Sequence, residues 1–343
     1  MPTADILPTH TPALFHSAVL QAAQLLRSGR IAAIPSETVY GLAANAFSPE
    51  AVAAIYRAKG RPPGNPLIVH VATAAMAREC ASEWPVLAER LAGHFWPGPL
   101  TLVVPRSSRI PDIVAAGGRT VGLRWPSHAF FQSVIKECGF PLAAPSANPS
   151  DQLSPTTAEH VIAGLGERIP LIVDAGACAV GIESTVVDVT GHHPRVLRPG
   201  IISAEQIAEA AGVSVNGSGS HGEGPLRSPG QLSRHYSPKA RLEVWSWQDD
   251  EALAAMLERQ AFAPERIFVL AHSRVPRDLP LAQISFIPDD PEAFARALYG
   301  YLHDCDHRGA ALVVIESLPP GSAWDGVRDR LLRAAAPAVQ RPQ

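Results

Sequence analysis

The sequence predicts an α/β protein with two domains, and three observations lead to that prediction. Its 343 residues exceed one typical domain of roughly 150 residues. Apolar runs of strand length alternate with segments of helical periodicity, which is the pattern of α/β packing. A stretch rich in Gly, Ser and Pro at 213–240 interrupts this alternation, which then starts again.

The first part of the chain alternates helix and strand up to Gly212. Ser48, Pro49 and Glu50 form a clear helix start, because they supply a capping hydroxyl, a proline at the first helical position and a first-turn acid. The predicted helices cover 12–28, 49–59, 84–94, 127–138, 157–165 and 202–212. The predicted strands cover 31–35, 66–71, 100–105, 119–125, 140–148 (running into a loop), 170–176, 184–189 and 195–200.

The second part of the chain shows the same alternation on a smaller scale. Its predicted strands cover 242–247, 266–273, 284–288 and 311–318, and its predicted helices cover 249–260, 291–305 and 324–335. Strand–helix alternation of this kind predicts a parallel sheet. We therefore predict a domain over 1–212, a linker or lid over 213–239, a small α/β domain over 240–335 and a tail over 336–343.

Composition and charge exclude several classes of protein. A net charge of −3 argues against a globally basic nucleic-acid binder, and 46% hydrophobic residues exclude a disordered chain. No apolar run reaches the roughly 18 residues of a membrane-spanning helix, and we expect no signal peptide. The four cysteines lack metal or redox spacing, so we expect reduced thiols and a cytoplasmic protein.

Two short motifs carry little weight. Gly217, Gly219 and Gly222 match a dinucleotide fingerprint, but Gly-Pro follows where a helix should open, which favours a flexible linker. His303 and His307 share a helix face and could hold zinc, but the pattern favours a solvated helix face. We predict no protein-bound metal.

The strongest cluster of chemical groups comprises residues 36–42 (SETVYGL) and 59–66 (KGRPPGNP). Lys59 and Arg61 flank a glycine just after a helix end, where both can donate to phosphate oxygens. The alternative is a surface loop whose basic residues favour the helix C-terminus.

Other polar residues follow predicted strands. Ser146 and Asn148 lie where ligands bind in α/β sheets, although an ordinary strand–helix turn has the same residues. The segments 181–185 and 198–200 show a similar pattern. Arg124 ends a strand and can clamp a carboxylate with two parallel hydrogen bonds.

Several segments in this order resemble the YrdC-like threonylcarbamoyl-AMP synthases in their long form. They are KGRPPGNPLIVH, TVGLRWP, APSANPS, GIESTVVD, VLRPG and SPGQLSRHYSPK, which together span nearly the whole chain. The family usually has PTETVYGL where this chain has PSETVYGL. Ser36 replaces the first Thr of that motif and keeps the hydroxyl group. The family often has GMKYKHY where this chain has GQLSRHY, so only the His235-Tyr236 end matches.

The resemblance implies a fold and a reaction. The fold is a YrdC-like domain with a twisted open sheet, followed by a smaller Rossmann-like α/β domain. The reaction joins L-threonine, bicarbonate or CO2, and ATP into threonylcarbamoyl-AMP and pyrophosphate. A tRNA threonylcarbamoyl transferase complex would use the product to make threonylcarbamoyladenosine, and Mg²⁺ would be bound mainly through the ATP phosphates.

The resemblance also implies roles for residues. Lys59 and Arg61 would be the catalytic pair that holds phosphates. The implied threonine site comprises Thr38, His70, Arg124, Ala144 and Ser184. The implied ATP site comprises Arg61, Asn65, Thr120, Ser146, Asn148, Ser154, Arg198 and Tyr236. Tyr236 would make the linker a lid that excludes water.

Two other functions are weighed against this one. A YrdC-like domain could be a binding module that holds tRNA weakly without chemistry, but the mildly acidic chain disfavours this as its main role. A carbamoyl-transfer part of a hydrogenase-maturation enzyme would carry acylphosphatase and zinc-finger segments, which this sequence lacks.

Overall fold

Two β-sheets organise the chain in a computed structural model, which describes residues 4–216, 236–277, 279, 281 and 283–336. The strands described are β1 (Asp5–Pro8), β2 (Ala32–Ile34), β3 (Gly41–Asn45), β4 (Ile68–His70), β5 (Leu100–Pro105), β6 (Thr120–Arg124), β7 (Leu142–Ala143), β8 (Leu171–Asp174), β9 (Thr185–Asp188), β10 (Arg195–Arg198), β11 (Arg241–Trp245), β12 (Ile267–Ala271), β13 (Gln283–Phe286) and β14 (Leu312–Glu316).

The α-helices flank these strands. They are α1 (Pro12–Arg27), α2 (Pro49–Lys59), α3 (Ala74–Cys80), α4 (Val86–Phe95), α5 (Ala129–Cys138), α6 (Ala158–Leu165), α7 (Ala204–Ala211), α8 (Asp250–Glu258), α9 (Pro291–His307) and α10 (Asp325–Ala335). Short 3-10 turns precede β12 and α10.

The first ten strands form one large mixed sheet. Their order is β1-β8-β2-β3-β7-β4-β6-β5-β9-β10. The sheet contains both parallel pairs, such as β4 with β6, and antiparallel pairs, such as β5 with β6. This confirms the predicted α/β class and the large twisted sheet, and it places the ends of β4 and β6 side by side.

The predicted start of α2 is confirmed in detail. The Ser48 hydroxyl accepts a hydrogen bond from the Ala51 amide, and Pro49 and Glu50 lie in the first turn. Gly60 ends the helix at φ +62°, a left-handed conformation that favours glycine. The turn after Gly60 is therefore set by the sequence, and it directs Arg61 toward the sheet.

The last four strands form a second, fully parallel sheet. Their order is β11-β14-β12-β13, which confirms the predicted small parallel sheet. A shared apolar cluster joins the two parts of the chain, since Val39 and Ile182 of the first part pack with Leu298 and Val327 of the second. We call the parts around the large and small sheets the first and second units. The predicted domain bounds stay predictions, and most of the predicted linker lies outside the described residues.

Among the helices in the described ranges, none is both long and apolar enough to cross a bilayer.

Candidate active site

A cavity opens in the first unit at the ends of central strands. Nine of the residues implied by the resemblance line it: Thr38, Arg61, His70, Arg124, Ala144, Ser146, Ser184, Arg198 and Tyr236. The sheet brings these residues together from segments that are far apart in the sequence.

An arginine at the end of β6 dominates one wall of the cavity. The Arg124 Nη2 atom lies 2.7 Å from the Glu37 Oε1 atom, and both side chains are buried. Arg124 Nη1 also donates a hydrogen bond to the Thr38 hydroxyl at 2.9 Å. Burial by itself would raise the pKa of Glu37. The charge of Arg124 and the hydrogen bond from the Ser127 amide lower it by more, so the pKa lies below its usual value. Glu37 is therefore ionised at neutral pH.

His70 lies next to Arg124 because β4 and β6 pair in parallel with these two residues in register. Its ring stacks on Phe131 with ring centroids 4.8 Å apart, and its buried Nδ1 atom has no protein hydrogen-bond partner. Burial, followed by the nearby Arg124 charge, lowers the pKa of His70 to about 3. The imidazole is therefore neutral at neutral pH.

Two further arginines line the cavity from other loops. Arg61 donates from Nε to the Asn65 carbonyl at 3.0 Å and from Nη2 to the Pro66 carbonyl at 2.7 Å. Arg198 donates from Nη2 to the Ser184 carbonyl at 3.0 Å. Burial lowers the pKa of Arg61 to about 10, so it stays charged at neutral pH. These carbonyl contacts fix the orientation of each guanidinium, so both arginines are positioned to bind an anionic ligand.

Lys59 lies behind the cavity and does not line it. Its Nζ atom donates hydrogen bonds to the carbonyls of Ser146 and Asn148. Burial, and then the charge of Arg61, lower the pKa of Lys59 well below its usual range. In this structure Lys59 orders the loop that follows β7, and its predicted role on phosphate stays a prediction.

Four other residues implied by the resemblance lie outside the cavity lining. Asn65 and Asn148 are buried in its supporting loops. Thr120 begins β6 opposite Pro105, at the end of the strand remote from Arg124. The Ser154 hydroxyl donates to the Glu183 carboxylate. Their predicted contacts with ATP stay predictions.

The sequence drew attention to residues 36–42 and 181–185, but no site role was predicted for Ser36, Glu37 or Glu183, and Phe131 was missed. Ser36 organises its own turn, since its hydroxyl donates to the Val39 carbonyl at 2.6 Å. Glu37 is the buried partner of Arg124, and Glu183 lines the cavity. The signal was present, because both glutamates stand in otherwise small or apolar segments that precede strands. A carboxylate there is buried only with a cationic partner.

Tyr236 belongs to the segment predicted as a lid and is the first residue described after position 216. It is 1% exposed and has φ +62°, a left-handed conformation unusual for a tyrosine. Its hydroxyl accepts a hydrogen bond from Arg198 Nη1 at 3.4 Å. The glycine triplet at 217–222 and His235 lie outside the described residues.

The two histidines weighed as zinc ligands lie on α9. The His303 ring stacks on His160 with centroids 3.8 Å apart, and its Nε2 atom is 3.1 Å from the Ser154 carbonyl. The ranges that the structure describes hold no group of three potential metal ligands. His303 thus contributes to packing between the two units.

Comparison with known proteins gives matches along both units. A family model described as "Telomere recombination", which covers Sua5, YciO and YrdC, matches residues 24–200. A second, for the C-terminal domain of threonylcarbamoyl-AMP synthase, matches residues 202–336.

Relatives and solved structures agree with these matches. Threonylcarbamoyl-AMP synthase of Pyrococcus abyssi is 36% identical over 92% of this chain and 93% of its own length. That of Bacillus subtilis is 37% identical over 98% and 97%. The crystal structure of P. abyssi Sua5 complexed with L-threonine is 33% identical, with a TM-score of 0.87 over 97% of this chain and 98% of its own.

Proposed function

The chain belongs to the threonylcarbamoyl-AMP synthase family, and we propose that its cavity joins L-threonine, bicarbonate or CO2, and ATP into threonylcarbamoyl-AMP and pyrophosphate. One observation carries the proposal: Arg124, Arg61 and Arg198 converge on a single cavity that also holds a neutral imidazole. An amino-acid carboxylate and a triphosphate are the anions that such a cavity would receive together.

The threonine subsite would be the wall formed by Thr38, His70 and Arg124. Arg124 would take the substrate carboxylate, since a guanidinium matches a carboxylate with two donors. Ala144 and Ser184 would enclose the remaining part of threonine, and both line the same cavity. A crystal structure of P. abyssi Sua5 with L-threonine supports this assignment of ligand class.

The nucleotide subsite would be the wall formed by Arg61, Ser146, Arg198 and Tyr236. The two arginines would face the phosphates, and the Ser146 loop is held in place by Lys59. Asn65, Asn148, Ser154 and Thr120 would act from the surrounding loops. The fixed carbonyl contacts of Arg61 and Arg198 would limit the reorganisation needed when ATP binds.

The chemistry would depend on positioning and charge. The amino group of threonine would form a carbamate, either by adding to CO2 with loss of a proton or by reacting with bicarbonate with loss of water. A carbamate oxygen would then attack the α-phosphate and expel pyrophosphate. Holding both substrates in one cavity replaces a bimolecular encounter. Arg61 and Arg198 would stabilise charge that develops on the phosphates. The lid at Tyr236 would keep water from the carbamate and the adenylate.

Magnesium would enter with ATP. Glu183 lines the cavity and Glu37 lies beside it, and each is already paired with an arginine, Glu37 with Arg124 and Glu183 with Arg330. These residues therefore do not fit a protein-held Mg²⁺ site, and we propose that the ion is bound by the phosphates of the nucleotide.

The product would be passed to a tRNA threonylcarbamoyl transferase complex, and any tRNA contact by this chain would be weak. We also propose a cytoplasmic location. The free, buried thiols of Cys80, Cys138, Cys178 and Cys305 suit a reducing compartment.

Pyrophosphate release from ATP tests the proposed function directly. We expect release that requires both L-threonine and bicarbonate, with threonylcarbamoyl-AMP identified by mass spectrometry. L-serine and glycine serve as competing substrates of smaller size. Pyrophosphate release without threonine would contradict the proposal.

A further inference from the structure

Glu183 lies at the rim of the cavity and is bound by helices of the second unit. Arg330 on α10 donates from Nε to Glu183 Oε2 at 2.7 Å, and the Tyr299 hydroxyl on α9 donates to the same oxygen at 3.2 Å. Ser154 of the first unit donates to Oε1. A cavity residue is therefore anchored by side chains from the other sheet.

The Arg330 guanidinium also binds two main-chain carbonyls next to residues that line the cavity. Nη2 donates to the Glu183 carbonyl at 3.1 Å, and Nη1 donates to the Pro199 carbonyl at 2.8 Å. Glu183 precedes Ser184 in sequence, and Pro199 follows Arg198. One side chain thus fixes the neighbours of two cavity-lining residues.

Ser184 and Arg198 are in turn connected to each other and to Tyr236. Arg198 donates from Nη2 to the Ser184 carbonyl at 3.0 Å and from Nη1 to the Tyr236 hydroxyl at 3.4 Å. The Arg330 guanidinium carbon lies 5.3 Å from the centroid of the Tyr236 ring. A displacement at Arg330 would therefore reach Ser184, Arg198 and Tyr236 together.

Close backbone contacts leave the same loops little freedom. A Cβ atom on Gly181 would lie 2.4 Å from the Arg296 Cα atom of α9. A Cβ atom on Gly326 of α10 would lie 2.6 Å from the Gly200 carbonyl oxygen. Both helices thus rest directly on the main chain that carries Glu183 and Pro199.

Electrostatics favour a geometric role over a stabilising one. Arg330 is 1% exposed and Glu183 is 7% exposed, so the pair is fully withdrawn from water. Buried ion pairs contribute little net stability compared with apolar residues of similar volume, because desolvation offsets their attraction. What this pair adds is a fixed direction for the loop at Glu183.

We propose that Arg330 is a positioning residue for the synthase reaction, which sets Ser184, Arg198 and Tyr236 in the wall that receives the substrates. The inference rests on the proposed function of the cavity. It assigns to the second unit a direct part in ordering the substrate site.

The test compares Arg330→Met with Arg328→Met in the full chain. Arg328 lies on the same helix but binds the Pro319 carbonyl within its own unit. We expect Arg330→Met to raise the KM for L-threonine and for ATP by about tenfold to a hundredfold, as misplaced positioning groups do. The Arg328→Met change should move both KM values by no more than about twofold, the range of most surface substitutions.

A second measurement does not depend on turnover. Amide hydrogen exchange in residues 181–200, followed without substrates, should be about tenfold faster in Arg330→Met than in Arg328→Met, because the loop opens locally. If Arg330→Met does not fold, the double variant Glu183→Gln/Arg330→Met removes both buried charges and is measured instead.

The outcomes separate the inference from the proposed function. Unchanged KM values and unchanged exchange in Arg330→Met, with only a lower melting temperature, would overturn the inference and make Arg330 a stabilising residue. Wild-type protein that releases no pyrophosphate would count against the proposed function. In that case, exchange in residues 181–200 alone would decide for or against the positioning role.

Discussion

The Nη2 atom of Arg124, at the cavity wall, and the Oε1 atom of Glu37 are 2.7 Å apart, with 4% and 7% of their side chains exposed. Arg124 thus has a resident carboxylate partner while Nη1 binds the Thr38 hydroxyl. A substrate carboxylate would have to share this guanidinium with Glu37, so the two contributions of Arg124, to binding and to folding, can be separated by substitution.

Arg124→Met should lose both contributions. It leaves Glu37 buried without its cation, which lowers the free energy of unfolding by about 3–5 kcal/mol. It also removes charge-assisted bonds worth about 1.5–3 kcal/mol, so the KM for threonine should rise roughly 10- to 100-fold. Urea denaturation and steady-state kinetics measure the two effects, with Arg78→Met on the exposed surface as the control.

The double variant Glu37→Gln/Arg124→Met should recover most of the stability, because no unpaired charge stays buried. The KM for threonine should stay as high as in the single variant. Recovery of threonine binding in the double variant would argue that Arg124 does not contact the substrate.

Lys59→Met should disturb the loop that carries Ser146 and Asn148. Its Nζ atom holds two carbonyls there, and each buried carbonyl left without a donor destabilises the protein by about 1–3 kcal/mol. We therefore expect a lower melting temperature and a raised KM for ATP. If Lys59→Met lowers kcat alone and leaves stability unchanged, the lysine acts on phosphate instead.

The His160–His303 stack should make stability depend on pH. Burial, and then His303, lower the pKa of His160 to about 4, and burial lowers the pKa of His303. Glu159 and Asp306 act in the opposite direction on the two rings. The unfolded chain takes up protons on these histidines below about pH 6.5 while the folded chain does not, so stability should fall as the pH is lowered from 7 toward 4.

The midpoints of urea denaturation at about pH 7.5 and about pH 5.0 measure this effect. His160→Phe should reduce the loss on acidification by about 1–2 kcal/mol, a figure discounted for the partial exposure of the ring. His94→Phe, at an exposed helix position, should leave it unchanged. An equal loss in wild type and His160→Phe would show that other groups cause it.

Two glycine substitutions should act in opposite directions. Gly326→Ala places a Cβ atom 2.6 Å from the Gly200 carbonyl oxygen, so the two units must separate slightly, at a loss of about 1–3 kcal/mol. Gly300→Ala, in the middle of α9, meets no atom within 4 Å and should stabilise the helix by about 0.5–1 kcal/mol. Thermal denaturation of both variants checks the pair, and equal effects would contradict the close contact.

The sequence predicted the elements that have strong local signals. Helix α2 was predicted from its caps at Ser48 and Gly60. Strands β5 and β12 were predicted from their apolar runs. It missed β3, because the small residues of Gly41–Asn45 have little strand preference and are held by pairing with β2 and β7. It also missed β1 and α3, which have 4 and 7 residues and are too short to show a period.

The site was predicted by resemblance, and its internal partners were not. Nine implied residues line the cavity, but their order in sequence says nothing about the pairing of Glu37 with Arg124 or of Glu183 with Arg330. Those pairs join segments about 90 and 150 residues apart, so only the folded chain reveals them. Lys59 shows the same limit, since its hydrogen bond to the Ser146 carbonyl could not be predicted from the sequence, while its predicted role on phosphate stays a prediction.

Tyr236 lies between an arginine of each unit, with Arg198 at its hydroxyl and Arg330 against its ring. Thermodynamic linkage makes this arrangement reciprocal: if docking of the second unit strengthens substrate binding by some factor, bound substrate strengthens docking by the same factor. The enzyme filled with its substrates would then hold its two units together more tightly than the empty one, and release of product would loosen them.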